Sequence, residues 1–225
     1  MSITMIIILF IGTWAMMMPM FFQARKYDIQ RWKIIPVAFI LTIVGTLGTY
    51  IWFLIENFSW GGRSFYGAVF IVPIVFLALP KIIKIPYGQL VDLCAPAECI
   101  MLSLMKVQCL VSGCCAGRTL FMTEAGEIVR FPSQAVELAA AYVIAIVLLI
   151  LSHRKGFKEK VFPWYMILYG SSRFVLNFMR EEWELYDGGL IPMGTIWSVV
   201  AVAIGICWIV IYNKKKAKSE EAVSA

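Results

Sequence analysis

The chain has 225 residues, of which 61% are hydrophobic and only 15% are charged. A soluble domain has roughly 25% charged residues, and its interior is too small to bury such an excess of apolar side chains. The composition therefore excludes an ordinary soluble fold and predicts an integral membrane protein.

Seven apolar segments follow one another, most of them long enough to cross roughly 30 Å of hydrocarbon at 1.5 Å per residue. In chain order they comprise residues 3–22, 34–55, 65–80, 90–112, 135–152, 161–179 and 192–212. They predict an all-α fold, a polytopic transmembrane bundle of about seven helices within a single domain, residues 1–212. A charged tail follows at 213–225, which we expect to be disordered.

The basic residues are distributed unequally between the two sides of this predicted bundle. Four lie on one side, Arg63, Arg118, Arg130 and Arg180. Fourteen of the 20 lie in the alternate connections: Arg25, Lys26, Arg31, Lys33, Lys81, Lys84, Arg154, Lys155, Lys158, Lys160, Lys214, Lys215, Lys216 and Lys218. The positive-inside rule places these fourteen in the cytoplasm together with the C-terminus, and the N-terminus outside. The net charge of +6 thus reflects the basic residues that orient the chain in the membrane, and nucleic-acid binding has no support.

The first segment resembles a signal peptide in length, but it has no basic leader, and its positive charges follow it. We therefore interpret it as a retained first helix.

Residues 61–67, GGRSFYG, lie at the predicted outer end of the third segment. The phenol of Tyr66 is a candidate acid/base group. The alternative is an aromatic anchor at the depth of the lipid head groups.

The fourth segment carries Asp92, Glu98 and Lys106, although charge within a transmembrane helix costs roughly 2.5 to 3.5 kcal/mol per residue. It ends in SGCCAGR, residues 112–118, where glycines predict a turn with backbone N–H groups close to Arg118. A turn containing Gly113 at the outer boundary of the membrane is suited to an anion. A tight connection with small residues for close packing explains the same pattern.

The six cysteines are Cys94, Cys99, Cys109, Cys114, Cys115 and Cys207. They contain no paired Cys-x-x-Cys elements, and the one histidine, His153, lies in a predicted cytoplasmic connection. We therefore predict no metal and no cofactor, and expect these cysteines to pack as small apolar residues. A thiol or metal site at Cys109, Cys114 and Cys115 is the alternative.

The sixth segment carries Tyr169, Arg173, Asn177 and Arg180 at spacings of four, four and three, which places them on one helix face. Two guanidinium groups with an amide between them form a strip of donors suited to phosphate or carboxylate. The alternative for Arg173 is a structural ion pair with Asp92, Glu98 or Glu137.

These groups, in this order, resemble the prolipoprotein diacylglyceryl transferase family. The family pattern SFHGG is similar to residues 64–68 (SFYGA), and the signature GRxGNFxNGExxG aligns without a gap to residues 105–117 (MKVQCLVSGCCAG). The family's PSQ element, followed by an acid, recurs as residues 132–134 and Glu137. YGxxRFxxEFxR resembles residues 169–180 (YGSSRFVLNFMR), and MGQ resembles residues 193–195 (MGT).

The resemblance implies a bacterial inner-membrane, multi-pass enzyme. Its activity would transfer the diacylglyceryl group of phosphatidylglycerol to the cysteine thiol of a lipoprotein precursor, releasing glycerol phosphate. Tyr66, Lys106 and Arg173 are then the candidate catalytic residues. Candidate substrate-binding residues are Arg180, Asn177, Gly113, Arg118 and Tyr169.

The sequence departs from the family at five of the family's chemically important positions. Tyr66 stands for a histidine, Lys106 for an arginine, Cys109 for an asparagine, and Cys114 and Asn177 for glutamates. Phosphate binding is better supported than thiol activation, because cations and turn glycines are what remain. A non-catalytic phospholipid-binding protein that retains the phosphate site is therefore the alternative to a transferase.

Overall fold

A computed structural model of the protein describes residues 3–115, 117–124, 126–180 and 192–224, which leaves Ala116 of the predicted turn outside the described residues. Its α-helices are α1 (Ile3–Lys26), α2 (Ile34–Asn57), α3 (Tyr66–Val75), α4 (Pro80–Ile83), α5 (Tyr87–Ser112), α6 (Ser133–His153), α7 (Val161–Asn177) and α8 (Met193–Ser224). A 3₁₀ turn, Arg31–Lys33, precedes α2. An antiparallel hairpin of β1 (Thr119–Met122) and β2 (Ile128–Arg130) separates α5 from α6.

The helices confirm the predicted all-α, polytopic membrane architecture, and each predicted segment contains one long or short helix. Among the residues that the structure describes, four helices are long and apolar enough to cross a membrane by themselves, within Ile3–Lys26, Arg31–Asn57, Ser133–His153 and Met193–Lys218. The orientation of the termini stays a prediction.

Three local features differ from the sequence-based expectation. Helix α3 has ten residues, about 15 Å at 1.5 Å per residue, so it covers half of a bilayer where we predicted a full span. Helix α8 continues to Ser224, where we expected a disordered tail. The β1–β2 hairpin was not predicted, because its short strands are largely exposed and lack an alternating apolar pattern.

Helix α5 lies at the centre of the bundle and explains how charged residues are tolerated there. It packs against α1, α6 and α7, and more than half of its residues are buried. Because neighbouring helices surround it, Asp92 and Glu98 face protein and not acyl chains. Helix α5 is thus too polar to insert favourably into a membrane alone, and it lies at the centre of the bundle, where the other helices surround it.

Asp92 joins α5 to the start of α7. One carboxylate oxygen accepts a hydrogen bond from the backbone N–H of Phe162 at 2.9 Å, and the other accepts one from the Tyr27 hydroxyl at 2.7 Å. The first N–H groups of a helix have no partner within the helix, and the helix dipole favours a negative charge there. Asp92 therefore anchors α7, and it is not the ion-pair partner of Arg173.

Contacts at one end of the bundle gather several of the basic connections, and we call this the basic end. Lys26 Nζ donates to the backbone oxygen of Arg154 at 3.1 Å, and Lys33 Nζ donates to that of Lys84 at 3.5 Å. Lys160 lies over the Tyr212 ring of α8. Three alternate connections and the distal part of α8 therefore share one end, as the charge distribution predicted.

Helices α2 and α3 approach each other through two glycines. A Cβ atom at Gly67 would lie 1.9 Å from the backbone oxygen of Gly48, and a Cβ at Gly48 would lie 2.9 Å from the backbone oxygen of Gly67. Small residues permit this backbone approach between membrane helices. The contact fixes the first turn of α3, where Tyr66 lies.

Replacing Gly67 by alanine is therefore expected to destabilise the protein by about 1–3 kcal/mol or more, because the backbones must separate to admit the methyl group. Thermal unfolding of purified protein in detergent, followed by tryptophan fluorescence, measures the loss. Gly61→Ala is the matched control, since nothing lies within 4 Å of a Cβ there. Equal unfolding temperatures for the two variants would contradict the packing described.

Candidate functional site

The Glu137 carboxylate is the centre of a cluster of cations. Lys106 Nζ forms an ion pair with Oε2 of Glu137, and Arg173 Nη1 lies 2.5 Å from Oε1. Arg180 Nη1 lies 3.8 Å from the same Oε1 atom. These four residues, which we call the cation cluster, carry three positive charges and one negative charge, a net charge of +2.

The cation cluster is largely withdrawn from solvent. The exposed fractions of its side chains are 12% for Lys106, 15% for Arg173, 9% for Arg180 and 6% for Glu137. Charge buried to this extent is costly unless it is paired. Three cationic side chains gathered around one carboxylate offer a set of donors suited to an anion.

Four structural elements bring the cluster together. Lys106 lies two turns before the end of α5, Glu137 lies in the first part of α6, and Arg173 lies in the last turns of α7. Arg180 follows the end of α7 after a turn in which its N–H donates to the backbone oxygen of Asn177 at 3.2 Å. Residues distant in sequence therefore converge at the end of the bundle opposite the basic end.

A main-chain connection attaches Arg180 to the turn after α5. Gly117 and Arg180 form an antiparallel β-bridge, and the N–H of Arg118 donates to the backbone oxygen of Met179 at 3.0 Å. A Cβ atom at Gly117 would lie 2.2 Å from the backbone oxygen of Phe131, so only glycine fits. Main-chain contacts therefore join the glycine turn to Arg180.

Gly113 ends α5 in the left-handed conformation, with φ of +68°, and nothing lies within 4 Å of a Cβ built there. It is required for its backbone conformation, since this region is favourable for glycine. Arg118 is exposed beyond the turn. The turn itself is fixed by α6, because Ser133 Oγ donates to the backbone oxygen of Cys115 and Gln134 Nε2 to that of Cys114, both at 2.7 Å.

Tyr66 is buried, and its hydroxyl lies 2.6 Å from Ser198 Oγ of α8. Ser198 Oγ itself donates to the backbone oxygen of Gly194 at 2.7 Å, so Tyr66 is the donor in the first bond. Its ring stacks on Phe70, with 5.8 Å between ring centroids, and contacts Tyr169 at 5.7 Å. The phenol proton is therefore engaged in a contact between α3 and α8.

The predicted strip on α7 divides into two parts. Tyr169 is buried and lines a small pocket of about 10 Å³ with Arg173 and Glu137, enough for about one water molecule. Asn177 instead donates through Nδ2 to Thr195 Oγ1 at 3.3 Å, which joins the end of α7 to the start of α8. Arg173 and Arg180 thus share an anion partner, whereas Asn177 has a structural contact.

The turn also brings three thiol groups together. The Sγ atoms of Cys109, Cys114 and Cys115 all lie within 4.8 Å of one another. The pKa of the Cys115 thiol is lowered to about 5, chiefly by a hydrogen bond from the Cys109 thiol; burial opposes this shift, and the positive charges of Lys106 and Arg180 support it. The cysteines that we expected to pack as apolar residues form a cluster.

The sequence-based list of site residues omitted Glu137. The sequence named three acids as possible partners of Arg173, and the structure selects Glu137 because Asp92 contacts α7 at its other end. Glu98 is buried beside the Tyr165 hydroxyl, away from the cation cluster. The retained PSQ element, which begins α6 and is followed by this glutamate, was the signal that could have identified it.

The chain is similar in sequence to several proteins that are named as phosphatidylglycerol–prolipoprotein diacylglyceryl transferases. The chain is 29% identical to the phosphatidylglycerol–prolipoprotein diacylglyceryl transferase of Ehrlichia ruminantium (strain Welgevonden) over 178 residues, which cover 72% of this chain and 68% of the relative. The protein of the same name from Geobacter sulfurreducens is 27% identical over 165 residues, covering 69% of this chain and 64% of the relative.

A protein from Clostridium perfringens, named phosphatidylglycerol–prolipoprotein diacylglyceryl transferase 2, is 23% identical over 143 residues, covering 59% of this chain and 54% of the relative. The model of the family described as prolipoprotein diacylglyceryl transferase matches residues 3–211, nearly the whole chain. The resemblance inferred from the motifs is therefore confirmed, and this chain belongs to the prolipoprotein diacylglyceryl transferase family.

Proposed function

We propose that the protein is a membrane transferase that uses an anionic, phosphatidylglycerol-like glycerophospholipid as its donor. Like the relatives by name, it would transfer a diacylglyceryl group to the cysteine thiol of a prolipoprotein. The observation that carries the proposal is the cation cluster, in which Lys106, Arg173 and Arg180 surround one carboxylate. Membership of the family supports the reaction class.

The charge of the cluster suits this chemistry. In the reaction the acceptor sulfur forms a bond to the glyceryl carbon, the bond from that carbon to the phosphate oxygen breaks with its electron pair leaving on the glycerol phosphate, and the thiol proton passes to water. The phosphodiester carries one negative charge, whereas the departing phosphate monoester approaches two. Negative charge increases towards the transition state. Fixed cations therefore stabilise the transition state more than they stabilise the bound lipid.

Each cation has a proposed part. Arg173 and Lys106 would contact the phosphate as the charge develops, and Arg180 would bind it from the turn side. A guanidinium offers a planar pair of donors, whereas the Lys106 ammonium acts as a compact charge. Glu137 occupies the anion position without lipid, so binding would exchange its carboxylate for phosphate oxygens. Arg118, which is exposed at the end of the turn, would contact the head group.

The remaining candidate site residues have supporting parts. Gly113 shapes the turn, and the Tyr169 ring forms a wall of the pocket beside Arg173. The internal hydrogen bonds of Tyr66 and Asn177 favour positioning for these two residues over proton transfer. We propose the bacterial inner membrane as the location, with the cation cluster towards its outer face, where a lipoprotein precursor would arrive.

A second candidate is a non-catalytic phospholipid-binding protein. The same internal hydrogen bonds of Tyr66 and Asn177 favour it, because these residues stand at positions where the family pattern has a histidine and a glutamate. Such a protein would bind the same lipid intact. The two candidates therefore differ in turnover and agree in lipid binding.

Arg173→Gln is expected to lower the transfer rate about 100- to 1000-fold, the typical cost of removing one group that stabilises a transition-state charge. The assay combines purified protein, phosphatidylglycerol and a lipobox peptide with a single cysteine, and mass spectrometry detects the diacylglyceryl adduct. Arg173→Lys should lose less, because the charge remains. Arg31→Gln, on an exposed residue of the 3₁₀ turn before α2, is the control.

The wild type decides between the two candidate functions in the same assay. Adduct formation by the wild type supports the transferase. Phosphatidylglycerol that co-purifies and is recovered intact, with no adduct on the peptide, would instead establish the non-catalytic protein. An Arg173→Gln rate equal to that of Arg31→Gln would remove the cation cluster from the reaction.

Glu137→Gln is expected to destabilise the lipid-free protein by about 3 kcal/mol or more, because three cations lose their shared buried counter-ion. Phosphatidylglycerol should then raise the unfolding temperature of the variant more than that of the wild type, since bound anion stabilises the folded state. Glu124→Gln, on the exposed hairpin, is the matched control. Equal effects of phosphatidylglycerol and zwitterionic phosphatidylethanolamine would contradict an anion site.

Tyr66→Phe is expected to reduce transfer by less than about tenfold and stability by about 1 kcal/mol, because it removes one hydrogen bond to Ser198 and keeps the ring. Initial rates and thermal unfolding of the same preparation separate the two effects. A rate loss of a hundredfold or more with unchanged unfolding would assign the Tyr66 hydroxyl to proton transfer.

A further inference from the structure

Cys109, Cys114 and Cys115 form a thiol cluster at the end of α5, which we call the thiol triad. Cys109 lies in the last turn of α5, and Gly113 then reverses the chain so that Cys114 and Cys115 fold back over that turn. All three Sγ atoms lie within 4.8 Å of one another. None of the three cysteines is buried, so an ion can reach them.

The backbone at the triad is held in an uncommon conformation. Cys115 has a positive φ of 60°, a region that few residues other than glycine adopt. Such strain persists where surrounding contacts determine it, and it is frequent at functional sites. Here the contacts are those from Ser133 and Gln134 of α6, which fix the backbone carbonyls of Cys115 and Cys114.

The geometry is close to that of a metal site. Zinc binds thiolates at about 2.3 Å, and tetrahedral coordination therefore needs sulfur atoms about 3.8 Å apart. A contraction of about 1 Å or less, within the reach of side-chain rotation, brings the triad to that separation. A disulfide would use two of the sulfur atoms and leave the third without a function.

The electrostatic environment also suits a trithiolate complex. One Zn²⁺ ion with three thiolates has a net charge of −1, which is unfavourable near apolar surroundings unless it is balanced. Lys106 and Arg180 act electrostatically on Cys115 from the neighbouring cation cluster. Their positive charge offsets the excess negative charge of the complex.

We propose that Cys109, Cys114 and Cys115 bind a single Zn²⁺ ion as three thiolates, with one coordination position open to solvent. The ion would hold the last turn of α5 to the chain that leads to Gly117, and so to the backbone bridge with Arg180. Binding needs no transfer reaction, so the proposal stands independently of the proposed function.

Co²⁺ titration of the reduced, full-length protein in detergent without oxygen tests the site. Tetrahedral thiolate coordination gives charge-transfer absorption in the near ultraviolet and visible bands, which should saturate at one Co²⁺ per chain and disappear when Zn²⁺ is added. Each of Cys109→Ser, Cys114→Ser and Cys115→Ser should weaken Zn²⁺ binding at least about 100-fold, because even second-shell losses cost roughly 10- to 100-fold.

Cys207→Ser is the matched control, since this exposed cysteine lies on α8, apart from the triad. It should leave the Co²⁺ spectrum and stoichiometry unchanged. No thiolate band in the reduced wild type, or a band that survives Cys115→Ser, would overturn the proposal. A mass lower by two hydrogens before reduction, with no Co²⁺ binding after reduction, would also overturn it and assign a disulfide.

Discussion

The Glu137 carboxylate holds three cations together in a part of the bundle where little solvent reaches them. Without this counter-ion the three charges would repel one another in a medium that screens them poorly. The arrangement of α5, α6 and α7 at this end follows from that requirement. Each of the three helices supplies one member of the cluster, and the turn after α7 supplies the fourth. The fold and the anion site are therefore products of the same electrostatic constraint.

A second acid performs a related task at the basic end. Asp92 accepts hydrogen bonds from the start of α7 and from Tyr27, so its position depends on a helix terminus and a phenol. Helix α7 is thus fixed by acids at both ends, Asp92 from α5 and Glu137 from α6. This explains how a helix of 17 residues with an arginine in its last turns keeps a defined position in an apolar bundle.

The sequence predicted the helices well where apolar runs are long, because period and length are local properties. The predicted segments 135–152 and 161–179 correspond closely to α6 and α7. The strip on the sixth segment was only partly right, because helical spacing ceases at Asn177 and Arg180 reaches the cluster through a turn. A local pattern could not indicate where that turn leads.

Tertiary packing decided what the residue pattern left open. Three acids were possible partners of Arg173, and only the packing of α6 against α5 and α7 distinguishes Glu137 from Asp92 and Glu98. The sequence offered the thiol triad only as an alternative for a similar reason, since its spacing matches no common metal motif and Gly113 creates the proximity by reversing the chain.

The bridge between Gly117 and Arg180 uses main-chain atoms alone. Main-chain hydrogen bonds are available to almost any residue, so neighbouring side chains in the turn can be exchanged over evolutionary time while the guanidinium stays in register. Two glycines lack that freedom, Gly117 because a Cβ would meet the Phe131 carbonyl and Gly113 because its φ is positive. The backbone of the turn is thus fixed by main-chain contacts, whereas most of its side chains can be substituted. A new chemistry can therefore arise at the turn without a change of fold.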